Sequence, residues 1–291
     1  MKHEFCGYYF KCQSPEHTIA LIPSFHRQGR EERASFQLIT DTGACNFSYP
    51  GREWRKEPGR LSVSLGGNRF CGRYIRLHQK QPGLSVEGML QFGPLSPIRY
   101  DIMGPFQYVP MMECRHSIYS MRHQVDGYLT INQTSYRFHN AIGYIEGDRG
   151  CSFPRRYLWT QCLFGRHSLM LSIADIPFGP LSFTGVIGII YWKGMEYRLA
   201  TYLGARIVKA EKGEFVIRQG EYQFTARLLE SNAHPLLAPH QGLMRRTIHE
   251  SASCHACYRF QKGKRLLFSL DSHYASFEDE FSSSFSCERG F

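Results

Sequence analysis

The stretch GYIEGDRGCSFPRRYLWTQ, Gly143 to Gln161, changes character half-way along. Its first half, GYIEGDRG, reads as turn chemistry, because Gly143, Gly147 and Gly150 can take φ > 0. Its second half, RRYLWTQ, reads as a strand. Alternation there puts Tyr157, Trp159 and Gln161 on one face, and Pro154, which cannot sit in a central ladder, marks the strand entrance. The expectation is a carboxylate-bearing loop delivered to an aromatic-lined strand. The plainer reading is a glycine-rich hairpin corner whose Glu146, Asp148 and Arg149 are solvated.

Working outward, almost nothing else in the 291 residues has a helical period. Short β-branched and aromatic runs alternate with Gly, Pro, Asn and Asp. Strands are expected at 7–12, 18–25, 34–39, 61–65, 74–77 and 84–91. This spacing predicts an all-β, lipocalin-like barrel or sandwich. Four prolines between Phe92 and Pro110 argue for a crossing connection. Residues 117–131 and 135–139 flank Asn132-Gln133-Thr134 as a hairpin. Later strands are expected at 159–174, 185–192, 197–203, 206–212, 214–219, 221–229, 247–260 and 266–269. Gly213 and Gly220 read as hairpin tips, and 231–242, with its prolines and histidines, as a loop. The organisation expected is a β half over 1–110, a second over 111–275 carrying the GYIEGDRG segment, and a flexible tail over 276–291. The repeated FGPLS at Phe92–Ser96 and Phe178–Ser182 supports two similar halves.

Composition bounds the function. Hydrophobic residues make up 42% and aromatics 14%, enough for a sizeable core that favours strands. The formal net charge of +10 raises the prior for anionic partners. The positive charges are dispersed, however, and no RNA-recognition strand signature is present, so nucleic acid is disfavoured. Peripheral contact with an anionic membrane surface suits the same charge. The N-terminus has no signal-peptide apolar core, no run reaches membrane-span length, and the ten cysteines are scattered. A cytoplasmic protein with reduced thiols is the expectation. Cys254 and Cys257 form a CxxC without a partner pair, and strand parity points them to opposite sides, which leaves zinc without support there. No G-x-S-x-G elbow, P-loop or dinucleotide fingerprint occurs.

With GPFQYVPMMECRHSIYSMRH before it and EYRLATYLGARI after it, the organising stretch resembles the tocopherol cyclase family. The likeness runs in order from Gly7–Lys11 to Met244–Ser251, carried above all by Glu146, Gly150, Phe153, Pro154, Trp159 and Gln161. It departs from the plant pattern at Cys6, at Tyr8 and in the EGDRG segment. The resemblance implies a lipocalin-like architecture with an apolar cavity, and closure of a chromanol ring on a prenylated hydroquinone.

That chemistry needs an acid to protonate the alkene, aromatic faces to stabilise the cation, and no metal or cofactor. The carboxylates weighed as the acid are Glu146, Asp148 and Glu250. Glu146 follows Tyr144 by two and neighbours Ile145, so a strand running into the turn carries it inward. Asp148, beside Arg149, reads as that arginine's ionised partner. Glu250 shares parity with Ala252, Cys254, Ala256, Tyr258 and Phe260, an otherwise apolar face, where a carboxylate must be paired or neutral; a salt bridge capping the barrel is the competing reading. The substrate-binding candidates are Tyr144, Tyr157, Trp159 and Gln161, with Glu113, Tyr119 and His123 on a second strand. Glu113 alternatively pairs with Arg115. The partner expected is a prenylated phenol or related isoprenoid. The alternative function is a non-catalytic carrier of hydrophobic ligands on the same fold.

Overall fold

Strands β1 (His3–Gln13), β2 (Thr18–Gln28), β3 (Glu31–Thr40) and β4 (Gly43–Pro50) open the chain, one hairpin after another. The computed structural model describes residues 3–110, 112–178, 181–211 and 213–281. Next come β5 (Trp54–Lys56), β6 (Ser62–Leu65), β7 (Asn68–Cys71), β8 (Tyr74–Gln81), β9 (Leu84–Phe92), β10 (Cys114–Ile131) and β11 (Thr134–Gly150). These eleven form one antiparallel sheet, ordered β4-β3-β2-β1-β11-β10-β9-β8-β7-β6-β5. Its edge strands β4 and β5 are joined by only a 3-10 turn, Gly51–Glu53. A flat sheet at about 4.8 Å per strand would set its edges roughly 48 Å apart. Pro50 and Trp54 can span at most about 14 Å. The sheet therefore curls on itself. Phe36 of β3 packs against Phe70 of β7 with ring centroids 5.6 Å apart, and Phe25 of β2 lies 6.2 Å from Trp54 of β5. The inward face is the first core, including Tyr8, Phe10, Leu21, Phe36, Leu90 and Ile145.

The wiring repeats. Strands β12 (Tyr157–Phe164), β13 (His167–Phe178), β14 (Leu181–Trp192) and β15 (Met195–Arg198) run outward, as β1 to β4 do. Strands β16 (Arg206–Glu211), β17 (Glu214–Gln219), β18 (Tyr222–Glu230), β20 (Leu243–Lys262) and β21 (Arg265–Asp279) return from the other edge until β21 meets β12. Strand β19 (His234–His240) pairs with β20 outside that path. Curling again brings the β15 edge back across the sheet: Tyr197 of β15 packs on Phe260 of β20 at 5.3 Å, and Gln219 of β17 donates to the Arg198 carbonyl of β15 at 2.9 Å. The second core gathers Leu158, Leu171, Phe215, Phe224, Tyr258, Phe260 and Phe277. Among the described residues there is no α-helix, and no helix is long and apolar enough to cross a membrane. The nine cysteines of the described residues are free thiols.

The all-β architecture with two similar halves is as expected, but its borders are not. The first compact unit takes Met1–Arg99, His116–Ser152 and Ala238–Arg246; the second takes Tyr100–Arg115, Phe153–Leu237 and Thr247–Phe291. The β10–β11 hairpin thus belongs with the first half, because β11 pairs with β1 from Phe5↔Gly150 to Gln13↔Ile142. The GYIEGDRG segment is not a loop: β11 runs through it to Gly150. Its glycines lack positive φ. Gly143 and Gly147 are there for space on the core face. A Cβ on Gly143 would stand 2.5 Å from His123 Nε2, and one on Gly147 would stand 3.0 Å from the Tyr8 ring. The expected 159–174 strand is a hairpin broken at Gly165, whose φ is +55°. The expected 231–242 loop contains β19. The tail expected from 276 begins as strand, with Ser276, Phe277, Glu278 and Glu280 buried; 282–291 lie outside the described residues. The FGPLS echo does not mark the repeat. Its first copy starts at the end of β9 and its second at the end of β13, with Gly179 and Pro180 outside the described residues.

Candidate functional site

The central strands β1 and β12 are buried on both faces, and most of the residues singled out for chemistry lie on the faces turned away from the two cores. In the first unit, alternation along β11 sends Gly143, Ile145 and Gly147 to the core and Tyr144, Glu146 and Asp148 to the other side. Register places Tyr9 of β1 opposite Glu146 and Lys11 opposite Tyr144. Tyr144 and Lys11 are fully buried, and Glu146 is 5% exposed.

His116 of β10 completes the group. Its Nδ1 lies 2.9 Å from Asp148 Oδ1 and its Nε2 lies 3.2 Å from Glu146 Oε2. The second approach is within ion-pair reach but off the line of a hydrogen bond. Tyr144 donates its hydroxyl to Glu146 Oε2 at 2.5 Å. Burial alone would disfavour a charged imidazole, but Glu146 and Asp148 outweigh it and hold His116 well above its ordinary pKa. Burial, then the Glu146 charge, pushes the Tyr144 phenol well above its ordinary range, so it remains a donor. The result is a buried imidazolium between two carboxylates, one of them also bound by a phenol. One donor atom from each of His116, Glu146 and Asp148 falls within 4.8 Å of the others, so the trio could also ligate a metal. The ring, however, offers a different nitrogen to each carboxylate, an arrangement that suits proton exchange better than convergence on one ion.

The second unit holds Tyr157, Trp159 and Gln161 on β12 and Glu250 on β20. Leu158 of β12 points to the core; Tyr157, Trp159 and Gln161 face away from it, all buried. Trp159 is the register partner of Glu278 on β21, and Gln161 of Ser276. Tyr157 donates to Glu278 Oε2 at 2.5 Å. Glu250 of β20, 1% exposed, stands opposite Glu278. It shares this face and not, as parity from Cys254 and Tyr258 suggests, the apolar one: a register shift between Ser251 and Cys254 reverses the alternation. The Gln161 side chain is fully buried, with no hydrogen-bond partner for its oxygen or its nitrogen.

Tyr119 and His123 lie on the first core's face. Tyr119 packs on Tyr8 at 5.6 Å, and His123 meets Phe92 edge-on at 4.7 Å. Burial, then the charge on Arg122, lowers the His123 pKa to about 3, which keeps it neutral. Glu113 precedes β10, half-buried, and Arg115 donates to the Val109 carbonyl instead of pairing with it. The residues that sequence reasoning missed are His116, Lys11 and Glu278. His116 had a signal: counting back equal steps from the Asn132–Gln133 turn carries residue 116 to the neighbourhood of 146–149.

The fold recurs in solved structures. CghA bound to Sch210972 matches with a TM-score of 0.59 at 12% identity, covering 96% of this chain and 89% of that one. Kievitone hydratase from Nectria haematococca matches with 0.55 at 9%, over 94% and 88%. A candidate AttH protein from Nitrosomonas europaea matches with 0.53 at 9%, over 96% and 92%. At such identities the likeness shows the fold, a fold that includes a hydratase. No protein-family model matches the chain, and neither does any curated protein sequence.

Proposed function

We propose that the protein is an acid catalyst that protonates the alkene of a prenylated phenol and closes a ring on the resulting cation, as the tocopherol cyclase resemblance implies. The observation that carries this reading is the buried Tyr144–Glu146–His116–Asp148 cluster. Glu146 hands to the alkene the proton it draws from the His116 imidazolium, and a tertiary cation forms. The Glu146 carboxylate keeps the hydrogen bond from the Tyr144 hydroxyl, and the neutral His116 ring keeps its bond to Asp148. The phenol oxygen then traps the cation, and its proton returns through Glu146 to His116, so substrate and product are isomers.

A hydratase also begins by making the double bond electrophilic towards oxygen; it differs in the trap, water instead of an internal hydroxyl. The kievitone hydratase likeness supports acid–base chemistry on this fold. Within the second unit, Tyr157 and Trp159 with the unpartnered amide of Gln161 form an aromatic wall with one polar anchor of its own.

The test is incubation with prenylated hydroquinones of varied tail length, followed by mass spectrometry. A product of unchanged mass and altered retention supports cyclisation. A gain of one water moves the protein to hydration. Tight binding with no product makes it a carrier.

A further inference from the structure

The hairpin of β20 and β21 carries a second cluster, remote in sequence from the one above: His255 and Cys257 on one strand, Asp271 and His273 on the other. Ala256 and Tyr258 take the inward positions in the second core, so alternation turns His255 and Cys257 to the opposite face. Asp271 is the register partner of Cys257. Between the pairs Cys254↔Ala275 and Ala256↔Ser272, β21 carries one residue more than β20. This bulge sets His273 against His255, and bulges of this kind re-aim side chains. The imidazole rings stack at 3.9 Å with an interplanar angle of 23°. His255 Nε2 lies 2.7 Å from Asp271 Oδ1, and the Cys257 thiol donates to Asp271 Oδ2 at 3.2 Å. One donor atom from each of His255, Asp271 and His273 falls within 4.8 Å of the others.

We propose that His255, His273, Asp271 and Cys257 form a tetrahedral site for a zinc ion that clamps the β20–β21 hairpin. The donor set fits the ion. Two neutral imidazoles, a thiolate and a carboxylate supply four ligands, and the two anions balance the 2+ charge. A thiolate with imidazoles selects zinc over magnesium or calcium, which want oxygen. Ligands at about 2.0–2.3 Å from a tetrahedral ion stand roughly 3.3–3.8 Å apart. The 2.7 Å His255–Asp271 and 3.2 Å Cys257–Asp271 separations open slightly, and the Cys257 thiol, which stands outside the 4.8 Å group of the other three, turns toward them by side-chain rotation on an accessible face. On the neighbouring strand β18, Glu230 stands opposite His255 and Arg227 opposite Cys257. Glu230 favours a cation; Arg227 opposes it but favours the thiolate. Cys254, the other half of the CxxC, is buried in the core and takes no part.

The test uses the full-length, untagged protein, with Zn2+ by calorimetry and Co2+ as a spectroscopic stand-in. Wild type should bind one equivalent of Zn2+ at micromolar or tighter affinity, and Zn2+ should raise its melting temperature. Bound Co2+ should show tetrahedral visible bands with a thiolate charge-transfer band. Cys257→Ser should lose the charge-transfer band, and the exposed His273→Ala should weaken Zn2+ at least tenfold and lose the thermal shift. Glu146→Gln should bind Zn2+ as wild type does. The proposal falls if no Zn2+ binds below millimolar concentration. It falls equally if His273→Ala binds normally, or if Glu146→Gln is the variant that loses the metal, which would move the ion to the buried cluster.

Discussion

Glu146 is the residue on which the proposed chemistry stands. Glu146→Gln keeps size and loses the transferable proton, so turnover should fall by about 10²–10⁴ while ligand binding survives. If binding or stability falls instead and turnover per bound ligand stays near normal, Glu146 is structural and the role passes to Glu250. His116 sets the pH dependence. Its pKa is raised in the folded state, so its contribution to stability is fully present below pH ~6.5 and is lost as pH rises through the elevated value. Activity that needs the imidazolium should fall on the same alkaline limb, and His116→Gln should abolish that limb. Two other histidines work in the opposite direction. Burial lowers His123 to about 3 and His26 to about 4, the latter helped by Arg33. The unfolded chain takes up protons there before the native state does, so stability should fall as pH drops from ~6.5 towards those values. The slope is at most about 1.4 kcal/mol per pH unit for each histidine. Urea unfolding at pH 7, 6, 5 and 4 measures it. His123→Leu should remove one of the two contributions; an unchanged acid limb would mean that His123 titrates normally.

Strand β11 shows what can be read from sequence and what cannot. The alternation of Tyr157, Trp159 and Gln161 is legible because aromatic residues on a half-buried strand announce a period of two. The hairpin tips are legible because Asn132, Gly213 and Gly220 need positive φ, and all three have it. GYIEGDRG misleads because the same glycines serve a second purpose. In β11 they clear space for His123 and for the Tyr8 and Tyr119 rings, a reason that exists only once β1, β10 and β11 are side by side. The acid cluster is hidden for the same cause, since His116 meets its carboxylates across a strand pairing and not along a strand. Glu250 was misassigned to the core face because a bulge is invisible to a parity count. The two readings of Gly143 separate experimentally. A turn glycine without positive φ would accept alanine. A spacer glycine would not: Gly143→Ala should push on His123 Nε2 and lower stability by about 1–3 kcal/mol, read from the urea midpoint at unchanged m-value.

At the scale of the molecule, the chain visits each unit three times, so neither unit is a contiguous piece. Residues 238–246 return to the first unit, where Gln241 donates its N–H to Ser152 Oγ at 2.8 Å and Gly242 donates to the Cys151 carbonyl at 2.7 Å. After that excursion β20 and β21 close the second sheet, β20 on β18 and β21 on β12. The connection before it, Ser231–Ala233, is exposed. A protease site inserted there allows the chain to be cut into a piece carrying β1 to β18 and a piece carrying β19 to β21. The smaller piece brings Tyr258, Phe260, Phe268 and Phe277 to the second core. Each such side chain contributes about 1.5–3 kcal/mol by burial, and the two strand ladders come with them. The smaller piece by itself keeps the β20–β21 pairing but loses both neighbours, β12 and β18. The cut protein should therefore elute as one species in buffer and separate only in denaturant. Fragments that part in buffer would mean that β19 to β21 are held far more weakly than their ladders and buried aromatics require.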